Sequence, residues 1–160
     1  IDLRNHGMSN RNIIRNFGYV SRMDNLQATI LNFRLSKLKR VISYRRKNFE
    51  LYKKNLNKKF VYFPEEKKNE FNTYHTFVIQ VEKRDRLKKF LKNKGVETSI
   101  HYPIPIHLQP AYKKKFRKKN FLKKTESQSK KILTLPINQY LKKKEIKYIC
   151  KLINNFYEKK

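Results

Sequence analysis

The sequence has 160 residues, enough for one domain with a real core. Hydrophobic residues make up 38% and aromatic residues 13%, which excludes a disordered polar tail, and no run of about 18 apolar residues is present to span a membrane. The net charge is +29, from 41 Lys and Arg against 12 Asp and Glu, a field that attracts nucleic acid, anionic membranes or phosphorylated substrates.

Residues 1–23 read as a loop-rich entry segment with turns at Gly7 and Gly18. Asp24 and Gln27 are spaced as a capping box and open a helix predicted over 24–57. Along it Leu35, Leu38, Ile42, Phe49, Tyr52 and Leu56 recur at three- and four-residue steps, with Arg45 filling the missing place. A helix of that length is expected to bridge two structural units. After a charged connection broken by Pro64, Phe77, Ile79 and Val81 alternate as one face of a strand. Asp85 can cap a short helix carrying Leu87, Phe90 and Leu91, which stops at Gly95. Val96, Thr98 and Ile100 alternate again and predict a second strand. The segment from His101 to His107 holds Pro103 and Pro105, so it is neither helix nor central strand. Residues 113–124 form a basic surface segment, 127–133 a short helix and 133–137 an extended apolar run. Residues 142–160 form an amphipathic helix with the stripe Ile146, Ile149, Cys150, Ile153 and Phe156. These elements sum to an α+β module, a small antiparallel sheet covered by helices.

Lys accounts for 30 of the basic residues and Arg for 11, while Asn is 16, Ile 14, Ala 2 and Gly 3. A/T-rich codons are inflated together and G/C-rich codons depleted together. The charge therefore reads first as nucleotide bias placing lysine on solvated faces. Phosphate-reading surfaces favour the bidentate Arg fork, which is scarce here. A stand-alone basic module that binds nucleic acid remains the alternative, as does an inactive truncated relic. The single cysteine, Cys150, precludes an internal disulfide and fits a reducing cytoplasm. Ile1–His6 lacks the apolar stretch of a signal peptide, and the missing initiator Met predicts a piece of a longer chain.

Four histidines, His6, His75, His101 and His107, lack the neighbouring cysteines and i, i+4 helical spacing of a zinc site, so no metal centre is expected. Three scattered glycines cannot build a glycine-rich phosphate loop. His75 reads as packing at a strand end. His101 and His107 flank a stiff loop that also presents Tyr102, which is either a ligand-contacting device or a plain proline-rich corner.

Five stretches in order carry a resemblance: Arg4-Asn5-His6-Gly7; Gly18-Tyr19-Val20-Ser21-Arg22-Met23-Asp24-Asn25-Leu26-Gln27-Ala28; His75-Thr76-Phe77-Val78-Ile79; Gly95 through Gln109; and Leu133-Thr134-Leu135-Pro136-Ile137. Together they resemble the DegT/DnrJ/StrS family of pyridoxal-phosphate-dependent nucleotide-sugar aminotransferases, over less than half of a family member. The resemblance implies the small C-terminal domain of the type I aminotransferase fold, antiparallel sheet with flanking helices, plus the long linking helix. Residues 1–23 would then end the large cofactor-binding domain, 24–57 connect, and 58–160 form the small domain. It further implies a cytoplasmic homodimer that moves an amino group from an amino acid, glutamate, to a nucleotide-diphosphate keto-sugar. The form of the His101–Gln109 stretch looks most like members acting on 3-keto sugars, with C4-acting and deoxygenating relatives open. The Schiff-base lysine would precede Ile1, so no catalytic residue is expected in this segment. The family's phosphate-holding Asn is Val20 here, which has no side-chain donor. Arg22 matches the family's Arg and is the cofactor-binding candidate. His101, Tyr102 and His107 are the substrate-binding candidates.

Overall fold

A computed structural model describes residues 4–5, 8–10, 13–14, 17–21, 23–116 and 122–158. The chain divides into two compact units, Ile1–Lys39 and Arg40–Lys160.

In the first unit the entry segment is not simply loop. Met8–Asn10 (β1) pairs antiparallel with Ile13–Ile14 (β2). Asn5 and Val20 form an isolated bridge, and the Ser21 amide donates to the Arg4 carbonyl at 3.0 Å. Helix α1 spans Asn25–Ser36, with Asp24 extended at its N-cap. The expected capping box does not form, because the Asp24 side chain makes no capping hydrogen bond; its carbonyl instead accepts the Ala28 amide at 2.9 Å. The helix predicted as continuous breaks at Lys37, whose amide reaches back to Arg34 at 3.1 Å. Beside the break, the Ser36 hydroxyl donates to the Phe33 carbonyl at 2.7 Å, the back-bonding that bends or ends helices. None of the residues of α1 is buried, so the Leu35 part of the predicted stripe is exposed.

The second unit holds the core. Helix α2, Leu38–Asn55, buries Phe49 and Tyr52 but leaves Leu38 exposed. Val61–Tyr62 (β3), Phe77–Val81 (β4) and Ile132–Leu135 (β5) form an antiparallel sheet in the order β3-β4-β5. The register sets Val61 beside Val81, Phe77 beside Leu135 and Ile79 beside Leu133. Because side chains alternate along a strand, these six share the buried face. Against Phe77 pack Phe49, edge-on at 5.4 Å, and Tyr52 at 5.1 Å. Helix α3, Arg84–Asn93, adds Leu87 and Leu91. The C-terminal helix, Lys143–Glu158, adds Ile146, Ile149, Cys150 and Ile153 as the sequence stripe predicts, with Phe156 packed at its edge. Each such buried aliphatic or aromatic side chain contributes about 1.5–3 kcal/mol.

Helix α3 begins after Lys83, which sits left-handed at φ 50°, and Asp85 pairs with Arg84 at 2.7 Å rather than capping the helix. Its end is as predicted. Gly95 takes φ 76°, its amide bonds Lys92, and the Val96 amide bonds Leu91. That is the Schellman pattern, and both Leu91 and Val96 are buried in the core. Val96 thus serves the helix end, and the strand predicted from 96 to 100 is absent. Only Ser99 pairs, exchanging two hydrogen bonds with Thr134 at 3.2 and 2.7 Å on the free edge of β5. Pro103 and Pro105, lacking amide hydrogens, cannot extend that pairing. Three helices complete the unit: α4 (Pro110–Lys115), α5 (Lys123–Lys131) and α6 (Lys143–Glu158).

Candidate functional site

Thr134 lies one step out of phase with the buried face of the sheet, so its side chain stands on the other face. There the His101 ring meets it, Nδ1 3.0 Å from the Thr134 hydroxyl. Tyr102 follows, edge-on to His101 with ring centroids 5.5 Å apart, and it is 74% exposed. The His101–Tyr102 peptide is cis. Pro103 and Ile104 are exposed, and Pro105 leads into a 3-10 turn over Ile106–Leu108. That turn closes through the Leu108 amide on the Pro105 carbonyl at 2.9 Å and the Gln109 amide on Ile106 at 3.0 Å. The Gln109 side chain also reaches the Ile104 carbonyl at 3.4 Å.

His107 behaves differently from its two companions. It is only 8% exposed, and its Nε2 lies 3.0 Å from a carboxylate oxygen of Glu126 on α5. A carboxylate can only accept, so Nε2 carries the proton. The same oxygen accepts the Leu122 amide at 3.3 Å, at the start of α5. The hydrogen bond from His107, against some desolvation, holds the Glu126 carboxyl below its ordinary range.

The loop therefore brings His101 and Tyr102 together at the surface and turns His107 inward. An imidazole and a phenol held side by side can donate to or accept from hydroxyls, and the ring faces can pack against a sugar. Two supports, Glu126 and Thr134, are not among the site candidates read from the sequence, although Thr134 lies in one of the five stretches. Glu126 carried a faint signal as one of 12 acidic residues in so basic a chain.

The other candidates lie elsewhere. Arg22 and His6 fall outside the described residues. Val20 is exposed and contributes only its backbone, to the bridge with Asn5. His75 is exposed, and its carbonyl accepts Arg45 Nη1 at 3.2 Å, a contact that joins α2 to the start of β4. Cys150 is buried in the core, where desolvation pushes its thiol up to about 12. A cleft of about 570 Å³ opens beside the start of α3, but none of the candidate residues lines it. Its Arg84 is already used internally, donating to the Ser129 and Ile132 carbonyls at 3.3 and 3.0 Å. Among the described residues no group of three or more His, Cys, Asp or Glu could hold a metal ion. Val20 offers no side-chain donor to the phosphate of pyridoxal phosphate, and Arg22, its candidate partner, lies outside the described residues. The donors of the loop fit an oxygen-rich ligand.

Comparison with known proteins bears on this arrangement. Residues 1–154 match the model of the DegT/DnrJ/EryC1/StrS aminotransferase family. The chain is 34% identical over 158 residues to a pleiotropic regulatory protein of Geobacillus stearothermophilus, covering 97% of this chain and 42% of that protein. It is 30% identical over 156 residues to dTDP-3-amino-3,6-dideoxy-alpha-D-galactopyranose transaminase of Aneurinibacillus thermoaerophilus, covering 96% of this chain and 42% of that one. Among solved structures, DesV of S. venezuelae in complex with a ketimine intermediate superposes with a TM-score of 0.90 at 28% identity, over 98% of this chain and 43% of that one. The chain thus spans about two-fifths of the length of the proteins it matches.

Proposed function

The chain belongs to the DegT/DnrJ/EryC1/StrS aminotransferase family, and on that premise we propose that it is the C-terminal portion of a pyridoxal-phosphate-dependent sugar aminotransferase. The whole protein would move an amino group from an amino acid, glutamate, to a nucleotide-linked keto-sugar. The observation that carries this reading is the match to a transaminase acting in dTDP-sugar chemistry along 96% of the chain, with the exposed His101–Tyr102 pair inside it. The comparisons give no support to the nucleic-acid alternative that the charge raises.

In this reading residues 1–23 end the large domain, 24–57 connect and 58–160 form the small C-terminal domain. The protein works as a homodimer in the cytoplasm; no described helix is long and apolar enough to cross a membrane. Pyridoxal phosphate, when bound, supplies the electron sink for amino transfer. Its lysine is placed outside residues 1–160, and Arg22 is the one residue of this chain proposed to support it. What this chain contributes is substrate orientation. The loop carrying His101, Tyr102 and His107 faces the sugar, with the Tyr102 ring and hydroxyl and the His101 imidazole making the contacts. Orientation of this kind lowers a barrier by holding the reacting carbon in place.

The test is turnover by the full-length protein with glutamate and a nucleotide-linked 3-keto sugar. An amino-sugar product is expected. Reduction with borohydride should trap pyridoxal phosphate outside residues 1–160. A single stoichiometric adduct within them, or no transfer to any nucleotide-linked keto-sugar, would overturn the reading.

A further inference from the structure

The loop is fastened at both ends to one continuous stretch of chain. At its start, Ser99 bridges Thr134 and His101 meets the Thr134 hydroxyl at 3.0 Å. At its finish, His107 is bonded to Glu126 at 3.0 Å. Glu126 lies on α5, which ends at Lys131, and Thr134 lies on β5, which begins at Ile132. Between the two anchors Tyr102, Ile104 and Ile106 face solvent. Two prolines and the 3-10 turn remove most of the soft torsions between them.

The two anchors differ in strength. The Thr134 contact pairs an imidazole with a hydroxyl, whereas the Glu126 contact ends on a carboxylate, is charge-assisted and therefore stronger. Glu126 is also held from its own side, since the Ser129 hydroxyl donates to its carbonyl at 2.9 Å and its carboxylate takes the Leu122 amide. His107 is too enclosed to present a face to a ligand, yet its turn sets where the loop ends. We propose that Glu126 is a positioning residue of the sugar site, acting through His107 to fix the loop that presents His101 and Tyr102. This rests on the nucleotide-sugar reading above for the identity of the ligand.

Hydrogen exchange in the full-length protein tests it, read by mass spectrometry over residues 99–109 in wild type, Glu126→Ala and Glu126→Gln. Alanine removes the acceptor, and exchange in that segment should rise about tenfold while β4 and α6 stay unchanged. The glutamine side-chain carbonyl still accepts from Nε2, so Glu126→Gln should stay within about threefold of wild type. The KM for the nucleotide-sugar should rise about tenfold in Glu126→Ala with kcat within about twofold, and recover in Glu126→Gln. Unchanged exchange in Glu126→Ala overturns the proposal, and so does faster exchange with an unchanged KM. Faster exchange in a protein whose wild type turns over no nucleotide-sugar refutes the substrate reading, and the positioning role falls with it. Should Glu126→Ala fail to fold, ring ¹⁵N NMR of wild-type His107 decides. A protonated Nε2 is expected, and a deprotonated Nε2 overturns the proposal.

Discussion

Arg46 donates both terminal guanidinium nitrogens to the carboxylate of Glu66, at 2.8 and 2.7 Å. The same guanidinium donates to the Asn72 carbonyl at 2.6 Å and lies 4.5 Å from the centre of the Phe71 ring. Glu66 in turn accepts the Asn72 amide. One side chain of α2 thereby fastens the middle of the long charged connection between β3 and β4, whose two ends are held in the core by Phe63 and Tyr74.

This pair has a pH signature. The Arg46 hydrogen bond, helped by the Asn72 amide, holds the Glu66 carboxyl at about 2, against an ordinary 4.5. A folded-state value below the unfolded one contributes stability that is present above the unfolded value and lost as pH falls through the folded one. The window is therefore from about pH 4.5 down to about pH 2. Glu66→Gln should melt below wild type at neutral pH, with the gap narrowing as pH falls through that window. A gap that stays constant from neutral pH to the bottom of the window would show that the pair does not act through ionisation.

Tyr52 links the same helix to the segment after β5. Its ring is fully buried, and its hydroxyl donates to the Pro136 carbonyl at 2.8 Å. Burial pushes that hydroxyl well above the usual tyrosine range, so it stays a donor at any workable pH. Tyr52→Phe keeps the packing and leaves the carbonyl unpaired, at a cost of about 1–3 kcal/mol. Urea denaturation should show a lower midpoint with an unchanged slope. Tyr62→Phe, on an exposed ring, should stay within about 0.5 kcal/mol of wild type. Equal midpoints for both variants would mean that water or a shifted backbone satisfies Pro136.

What the sequence made legible were features decided within a few residues. The alternation of Phe77, Ile79 and Val81 became a strand with those three buried. The stripe of α6 and the stop at Gly95 also stand as read. Features needing distant partners were misread. Val96, Thr98 and Ile100 alternate like a strand, but Val96 is claimed by Leu91 and Ser99 finds only one pairing site on Thr134. The 3.6-residue stripe ran straight through Lys37, because periodicity records a buried face and not the local hydrogen bonds that end a turn. In the site, two prolines between histidines marked the loop. Which way each imidazole turned was set by Thr134 and Glu126, far along the chain, and no local pattern carries that.

Gly95 offers a test of a purely backbone cost. A Cβ built there meets nothing within 4 Å, so space is not the constraint. The constraint is φ 76°, where an L-residue is strained by about 1–2 kcal/mol. Gly95→Ala should lose about that amount, and Gly95→Asn less, since asparagine tolerates the left-handed region. Thermal melts of the two variants beside wild type would show the order. Asparagine no better than alanine would mean that the strain lies elsewhere in the turn.

The loop itself gives the most direct test of the functional reading. Tyr102 is almost free of the fold, being 74% exposed, so replacing it should not disturb the core. His101 is exposed and tied by one side-chain hydrogen bond to Thr134, so its loss should cost little stability. If the loop faces the sugar, Tyr102→Phe removes one hydroxyl and His101→Ala one imidazole from the ligand. A lost hydrogen bond of about 1.5 kcal/mol corresponds to about tenfold, seen as a higher KM for the nucleotide-sugar or as lower turnover. Pro103 and Pro105 hold the loop in place before ligand arrives, so the loss should appear without added ordering cost. Cofactor absorbance and melting temperature of the full-length protein should stay at wild-type values in both variants. Should kinetics stay at wild type in both, or the losses track unfolding, the loop would be a structural corner and His101 and Tyr102 would leave the site.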